Sequence, residues 1–280
     1  RTRQDVTMAS DLNPLIWPAS ATRNSQGEIS IGDVSVTDLA KKYGTPLYVF
    51  DEADVRKRAR DYVAAFTVSD IETSVHYAGK AFITTKVAQW VNQEGLGIDV
   101  ASAGELEVAL RAGINPTQIV MHGNNKSVKD LERAVEVGVG RVVIDSLIEI
   151  ERLNSVAAAA GIVQQVLLRL TVGVEAHTHE AISTAHQDQK FGLSTASGMA
   201  MAAVDNVLEC DALSLAGLHS HIGSQIFDAT GFELATHRVV DFAVQIKERH
   251  GISVSELDVG GGMGIAYIEG DDPLNVTAMA

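Results

Sequence analysis

The chain is poor in cysteine and in positive charge, and it has no long apolar run. Cys210 is the only cysteine among 280 residues, so no disulfide can form within the chain and a reducing, cytoplasmic location is expected. Lys and Arg number 22 against 36 Asp and Glu, a formal net charge of -14. This charge argues against nucleic acid and anionic membranes as partners. No apolar stretch approaches the roughly 18 residues of a membrane helix, and no secretory signal is recognisable.

What the sequence does contain is a regular alternation of strand and helix patterns. The predicted strands after Asp51 are residues 73–79, 97–100, 118–121, 141–144, 165–172, 213–221 and 256–259. Such an alternation is typical of right-handed βαβ units and a parallel sheet. We therefore expect an α/β fold, an incomplete (β/α)8 barrel of the TIM type with about seven strands. Because the chain ends soon after the seventh strand, we expect it to be a fragment of a longer protein.

Local signals add further expectations at the amino terminus and at the helix starts. Alternation over Ile29–Val36 predicts one strand, and Leu47–Phe50 predicts another. Asp51 and Ser127 are expected to cap helices. The patterns Ser102-x-x-Glu105 and Ser146-x-x-Glu149 each predict a capping box.

The residues at the predicted strand ends are the candidates for chemistry, because active residues of such barrels cluster there. They are Lys80, Asp99, His122, Asn124, Arg169, His219, His221, Ser224, Gly260, Gly261 and Gly262. An amine such as that of Lys80 can form a Schiff base with a carbonyl cofactor. A solvated loop lysine is the alternative for this residue considered alone.

The triplet Gly260–Gly262 follows the seventh predicted strand and precedes a helical pattern. Backbone N–H groups without Cβ interference can close on an anion there, and barrels often bind phosphate at this position. A dinucleotide fingerprint is disfavoured because it needs a glycine where Ile265 stands. A purely structural tight turn is the other alternative.

His219 and His221 place two imidazoles on one face of the sixth predicted strand. With His177 and His179 they suggest a zinc site as a minor alternative. The favoured interpretation is that His221 lies flat against an aromatic cofactor ring. No metal is predicted.

Six segments of the sequence form a distinctive set: YAGKA at 77–81, HSHIGSQ at 219–225, DVGGGMGI at 258–265, HGNNKS at 122–127, YGTPLYVFDE at 43–52 and the insertion at 175–192. Together they resemble the motifs of the diaminopimelate decarboxylases. This family belongs to the ornithine, diaminopimelate and arginine decarboxylase group, whose barrel is of the alanine-racemase type and binds pyridoxal phosphate.

The resemblance implies a role for each matching residue. Lys80 would hold pyridoxal 5'-phosphate covalently and His221 would stack on its ring, and these two are the expected catalytic residues. Ser224 and the three glycines at 260–262 would bind the phosphate, while Asp99 and Arg169 would line the cofactor. The implied activity is decarboxylation of meso-diaminopimelate, a small amino acid, to L-lysine by a homodimer. Residues 1–50 would contribute to a β-domain, and residues 51–280 would form the partial cofactor-binding barrel.

The sequence also departs from the family pattern. It has no Glu-Pro-Gly-Arg segment of an eighth strand and no carboxyl-terminal β-domain, and Cys210 does not match the family's active-site cysteine. We therefore expect little activity from this chain alone. A related basic amino-acid decarboxylase or racemase, or a catalytically silent pyridoxal-phosphate-binding module, are the alternatives.

Overall fold

The structure, a computed structural model, describes residues 12–67, 71–174 and 191–280, and begins with a small antiparallel sheet. Its members are β1 (Thr22–Arg23), β2 (Ile29–Ile31) and β3 (Val34–Ser35), followed by α1 (Val36–Tyr43). The prediction of a single strand over Ile29–Val36 is wrong, because the chain turns at Gly32 and Asp33, which both have positive φ. The predicted strand Leu47–Phe50 is also wrong. Its residues are exposed and pair with no strand of the described chain.

A curled parallel sheet follows, with helices between its strands. Its strands are β4 (His76–Ala78), β5 (Gly97–Val100), β6 (Ile119–Met121), β7 (Arg141–Ile144), β8 (Gln164–Thr171), β9 (Leu193–Ser194), β10 (Leu213–Ser220) and β11 (Glu256–Asp258). Seven of them form the path β11-β10-β8-β7-β6-β5-β4, while β9 pairs with β8 off this path. The expectation of an incomplete α/β barrel of about seven strands is confirmed, with β4 and β11 as the two end strands.

The helices lie on the outside of this sheet. They are α2 (Glu52–Phe66), α3 (Thr85–Gln93), α4 (Ala103–Arg111), α5 (Val128–Val137), α6 (Leu147–Ala160), α7 (Met199–Leu208), α8 (Ala229–His250) and α9 (Val276–Met279). The predicted caps at Asp51 and Ser127 are confirmed. The Asp51 side chain accepts from two backbone N–H groups of α2, and Ser127 forms a reciprocal capping box with Asp130.

The two predicted capping boxes fail in different ways. Ser102 accepts from the N–H of Glu105, but the Glu105 carboxylate accepts from the N–H of Ala101 and not from Ser102. Ser146 makes no side-chain cap. Glu149 instead forms a buried ion pair with Lys126, 2.8 Å apart, because a carboxylate that the fold buries is far more stable beside a cation.

The strands bury apolar side chains on both faces of the sheet. The larger core lies between the sheet and the helices. A separate inner layer consists of Val120, Val143, Leu167 and Ala216, from four neighbouring strands. Since successive side chains of a strand point to opposite faces, the polar residues in step with this layer also face inward.

An ion pair crosses the concave side of the sheet. Nε and Nη2 of Arg141 donate to the two carboxylate oxygens of Glu256, with Nε 2.8 Å from Oε2. Arg141 lies on β7 and Glu256 on β11, three places apart in the sheet order. Side chains so far apart in a sheet can touch only if the sheet is strongly curled.

Candidate active site

Lys80 follows β4 in a tight turn at the carboxyl end of the sheet. Gly79 is buried, and its N–H donates to the carbonyl of Asp99 at 2.9 Å. A Cβ on Gly79 would lie 2.8 Å from that carbonyl oxygen, so only glycine allows this approach. Lys80 itself is exposed, and among the described residues its amine has no ion-pair partner. Gly79 therefore fixes the backbone from which the Lys80 side chain projects without an ion-pair partner among the described residues.

The glycine turn after β11 is seated directly on the loop after β10. A Cβ on Gly260 would lie 2.5 Å from the carbonyl oxygen of Ser220, and one on Gly262 would overlap the carbonyl of Gly223. Both glycines have positive φ, 70° and 103°. Gly261 differs, since a Cβ there would meet no atom of the described residues within 4 Å. The turn thus presses its two outer glycines onto the protein and turns the middle one toward open space.

Backbone and side-chain hydrogen bonds join the same two loops. The N–H of Ile226 donates to the carbonyl of Gly262 at 3.0 Å, and the N–H of Gly264 donates to the carbonyl of Ile226 at 2.7 Å. The Gln225 side chain both donates to and accepts from the backbone of Ile265. Ser224 lies in the loop after β10, next to the residues that make these hydrogen bonds and beside Gly262 of the glycine turn.

His221 interacts with both Lys80 and the glycine turn. Burial lowers the pKa of its imidazole to about 4, and the charges of Lys80 and Arg169 act in the same direction. A hydrogen bond to the backbone of Gly261 has the opposite, smaller effect. His221 is therefore neutral near pH 7. Its electrostatic interaction with Lys80 and its bond to Gly261 place all three at one end of the barrel.

Asp99, near the end of β5, lies between two histidines. Its carboxylate oxygens are 3.4 Å from Nδ1 of His76 and 3.5 Å from Nε2 of His122. Burial alone would raise the pKa of Asp99, but the neighbouring imidazoles of His122 and His76 bring it below its ordinary value. The ring of His122 meets that of His219 edge to face, with centroids 5.1 Å apart. Burial drives the pKa of His219 well below its ordinary value.

Arg169 faces a recess beside His221. The recess is lined by residues 169–172 of β8 and its end, by Phe191, and by residues 220–222. The guanidinium lies over the ring of Phe191, with Cζ 4.7 Å from the centroid. Nη1 of Arg169 is 3.4 Å from a carboxylate oxygen of Asp145. A cation is thus held at the edge of the space that His221 borders.

A second lysine, Lys126, lies near this end of the barrel but is fully engaged. Its amine donates to the carbonyls of Gly123 and Val143, at 2.5 and 2.7 Å. It also pairs with Glu149, and both side chains are almost completely buried. All three N–H donors of this ammonium are therefore engaged, and it is not available to react with a carbonyl ligand. Lys80 is therefore the better candidate for a covalent role.

The alternatives that involve a metal or a membrane gain no support from the described ranges. There, no group of three or more His, Cys, Asp or Glu side chains is arranged to hold a metal ion. His177 and His179, which the zinc alternative requires, lie outside the described residues, as does most of the insertion at 175–192. Among the helices so described, none has both the length and the apolarity needed for a membrane crossing.

Our reading of the sequence missed several inward-facing polar residues. The strand register places His76 of β4 and Asp258 of β11 on the same face of the sheet as the inner layer. Asp145 follows β7 and lies two residues after Val143 of that layer. Burial and the nearby Asp99 raise the pKa of Asp258, whose side chain accepts from the N–H of Gly260 at 2.8 Å. The period-two alternation within each predicted strand was the signal that identifies such residues.

Comparison with known proteins places the chain. Residues 52–280 match the family model described as pyridoxal-dependent decarboxylase, pyridoxal binding domain. The chain belongs to this family. Diaminopimelate decarboxylase of Mycobacterium tuberculosis is 54% identical over 273 residues, which cover 96% of this chain and 60% of the relative. The enzyme of the same name from Bacillus subtilis is 42% identical, with 92% and 59% covered. The chain thus spans about 60% of the length of these relatives.

Solved structures agree in fold. Diaminopimelate decarboxylase from M. jannaschii in complex with L-lysine superposes with a TM-score of 0.87 at 32% identity. The match covers 94% of this chain and 61% of that one. The resemblance inferred from the motifs is confirmed, and so is the prediction of a pyridoxal-dependent family.

The residues at the rim fit such a cofactor. Pyridoxal phosphate needs an amine for its aldehyde, an anion seat for its phosphate and a flat partner for its ring. Lys80 offers a free amine, and His221 offers a neutral imidazole. Within the described part of the chain, the turn at Gly260–Gly262 has open space beside its middle residue, as an anion seat requires.

Proposed function

We propose that this chain is the cofactor-binding barrel of an enzyme that decarboxylates meso-diaminopimelate to L-lysine with pyridoxal 5'-phosphate. The observation that carries the proposal is the grouping of Lys80, His221 and the turn at Gly260–Gly262 at one end of the barrel. Identity of 54% to a diaminopimelate decarboxylase over nearly the whole chain supports the choice of reaction.

Each residue of the group has a distinct proposed task. The Lys80 amine would hold the cofactor covalently and yield its place to the amino group of the substrate. The backbone of Gly260–Gly262, together with Ser224, would bind the phosphate. His221, neutral because of its burial and its cationic neighbours, would lie against the ring without adding charge. When bound, the cofactor supplies the ring that accepts electrons from the cleaved bond.

Asp99 and Arg169, an anion and a cation, would line the same cavity. Asp99 is held ionised by His76 and His122, and it would orient groups on the inner side of the cofactor. Arg169 borders the recess beside His221, where it would attract an anionic group of cofactor or substrate. Both assignments rest on position in the barrel and on the match to the family pattern.

The decisive test uses a full-length protein that carries this chain. We expect an absorbance band in the near-visible from the lysine-bound cofactor, and we expect Lys80→Ala to abolish both the band and turnover. Lys86→Ala, an exposed lysine on α3, is the matched control and should leave both unchanged. A Lys80→Ala variant that retains the band would contradict the assignment.

Substrate assays on the same protein separate the alternatives. Release of carbon dioxide from meso-diaminopimelate, with L-lysine as product, supports the proposal. Turnover of ornithine or lysine, or racemisation without carbon dioxide release, would replace it by a related decarboxylase or a racemase. Cofactor binding without any turnover would indicate a silent binding module.

The remaining expectations are proposals of the same kind. They are the division into residues 1–50 and 51–280, the homodimer, the cytoplasmic location and the low activity of this chain on its own. Size measurement of the full-length protein tests the homodimer. A carbon dioxide assay of residues 1–280 alone, beside the full-length protein, tests the last.

A further inference from the structure

Four charged residues form a chain of contacts that ends at the recess, and all but Arg169 are buried. Lys126 pairs with Glu149 at 2.8 Å, and Glu149 accepts from the N–H of Asp145 at 3.3 Å. The Asp145 carboxylate in turn lies 3.4 Å from Nη1 of Arg169. Two cations and two anions balance, so the group is neutral as a whole. Such a group is stable when buried only while every member keeps its partner.

Asp145 divides its two carboxylate oxygens between different elements. Oδ1 accepts from Arg169, while Oδ2 accepts from the N–H of Gly192 at 3.0 Å. Gly192 directly follows Phe191, whose ring underlies the Arg169 guanidinium at 4.7 Å. The Arg169 guanidinium is thus contacted on one side by the Asp145 carboxylate and on another by the Phe191 ring. Asp145 also holds the backbone next to that ring, through its bond to Gly192.

We propose that Asp145 is a positioning residue, which sets the place of the Arg169 guanidinium in the recess beside His221. Asp145 is 5% exposed and does not line the recess itself, so it acts only through what it holds. This inference rests on the proposed function, in which Arg169 borders the cofactor and substrate space.

The competing explanation is that Asp145 only stabilises the fold through Gly192. The two explanations differ in one respect. A positioning residue loses its effect on ligand binding once Arg169 is gone, whereas a purely structural one does not. A double-mutant cycle measures this difference, because non-additivity reports coupling between two residues.

The cycle compares Asp145→Asn, Arg169→Met and the double variant in the full-length protein. The asparagine oxygen can still accept from Gly192, so the fold contact is kept while the charge is lost. Affinity for pyridoxal phosphate is measured by absorbance titration of the apo protein, and melting is followed in parallel. Glu151→Gln, an exposed acid on α6, is the control and should match the unaltered protein.

We expect Asp145→Asn to weaken the affinity about tenfold and the double variant to bind no more weakly than Arg169→Met. Additive losses would overturn the proposal. Should Asp145→Asn alone fail to fold, the double variant, in which the four-residue group is again neutral, is compared with Arg169→Met. Equal affinities then support the proposal, and a further loss in the double variant overturns it.

A pH profile gives a second readout that a structural role would not move. Burial is the main cause of the low pKa of His221, and the charges of Lys80, Arg169 and His122 lower it further. If Asp145→Asn lets Arg169 leave the recess, this pKa rises, and the acid limb of cofactor affinity moves to higher pH. Arg169→Met should move it likewise. An unmoved acid limb in Asp145→Asn counts against the proposal.

An error in the proposed function and an error in the role of Asp145 would give different results. If the unaltered protein does not bind pyridoxal phosphate, the proposed function is wrong. If it binds and the effects of the two substitutions add, only the role of Asp145 is wrong.

Discussion

Alanine at two adjacent positions of the glycine turn should separate folding from ligand binding. At Gly262, φ is +103° and a new Cβ would lie 3.0 Å from the carbonyl carbon of Gly223 and 3.2 Å from Cα of Ser224. Strained backbone costs about 1–3 kcal/mol, and overpacking a further ~1–3 kcal/mol. Gly262→Ala should therefore lose roughly 2–6 kcal/mol of unfolding free energy.

Gly261 should behave in the opposite way. Its φ is not in the left-handed region, and among the residues that the structure describes a Cβ there would meet no atom within 4 Å. Gly261→Ala should leave stability unchanged or raise it by about 0.4–1 kcal/mol. If the phosphate of the cofactor occupies that space, affinity should nevertheless fall at least about tenfold, which corresponds to roughly 1.4 kcal/mol.

Urea unfolding and absorbance titration with pyridoxal phosphate measure the two quantities in the full-length protein. Gly104→Ala, at a helical position where a Cβ would have its nearest neighbour at 3.8 Å, is the control. Tight binding by Gly261→Ala would show that the phosphate is not seated at this turn. Undiminished stability of Gly262→Ala would refute the steric argument.

Two further predictions concern charge. Arg141→Met leaves Glu256 without its partner. Because both side chains are about a third exposed, the free energy of unfolding should fall by about 1–2 kcal/mol. Urea unfolding measures this loss beside Arg152→Met, a control at an exposed position, and an equal effect of both substitutions would disprove the role of the pair. The pKa of His221 is lowered from 6.5 to about 4. Between these two pH values the imidazole is protonated in the unfolded chain but neutral in the native state, so the free energy of unfolding falls as the pH drops from 6.5 toward 4. This contributes at most about 3 kcal/mol, and unfolding of His221→Gln from pH 7 to 4 should show a shallower decline; an unchanged slope would contradict it.

Rules that act over a few residues predicted the regular parts of the barrel well. The strand at Arg141–Ile144 has the predicted bounds, and the cap at Asp51 is where the sequence pattern indicates. Both depend on local chemistry, namely a short apolar run between turns and a carboxylate that can reach the first free N–H groups of a helix.

The errors arose where partners distant in sequence decide the outcome. Ser146-x-x-Glu149 has the form of a capping box, but Lys126 competes successfully for the glutamate because both are buried. Leu47–Phe50 has strand-like composition, yet a strand requires a neighbour, and the described chain provides none. Lys80, His221 and the glycine turn could be named from motifs. The contacts of Asp145 required the folded arrangement.

The candidate site is divided between the first and the last strand of the sheet path. Lys80 follows β4, and the glycine turn follows β11, which are the two end strands. End strands have hydrogen-bonded neighbours on one side only and are the first to open in local fluctuations. A ligand that spans both would stabilise them together by mass action. Amide hydrogen exchange at the two margins of the sheet should therefore slow in concert on saturation, although no backbone hydrogen bond joins these strands in the described ranges.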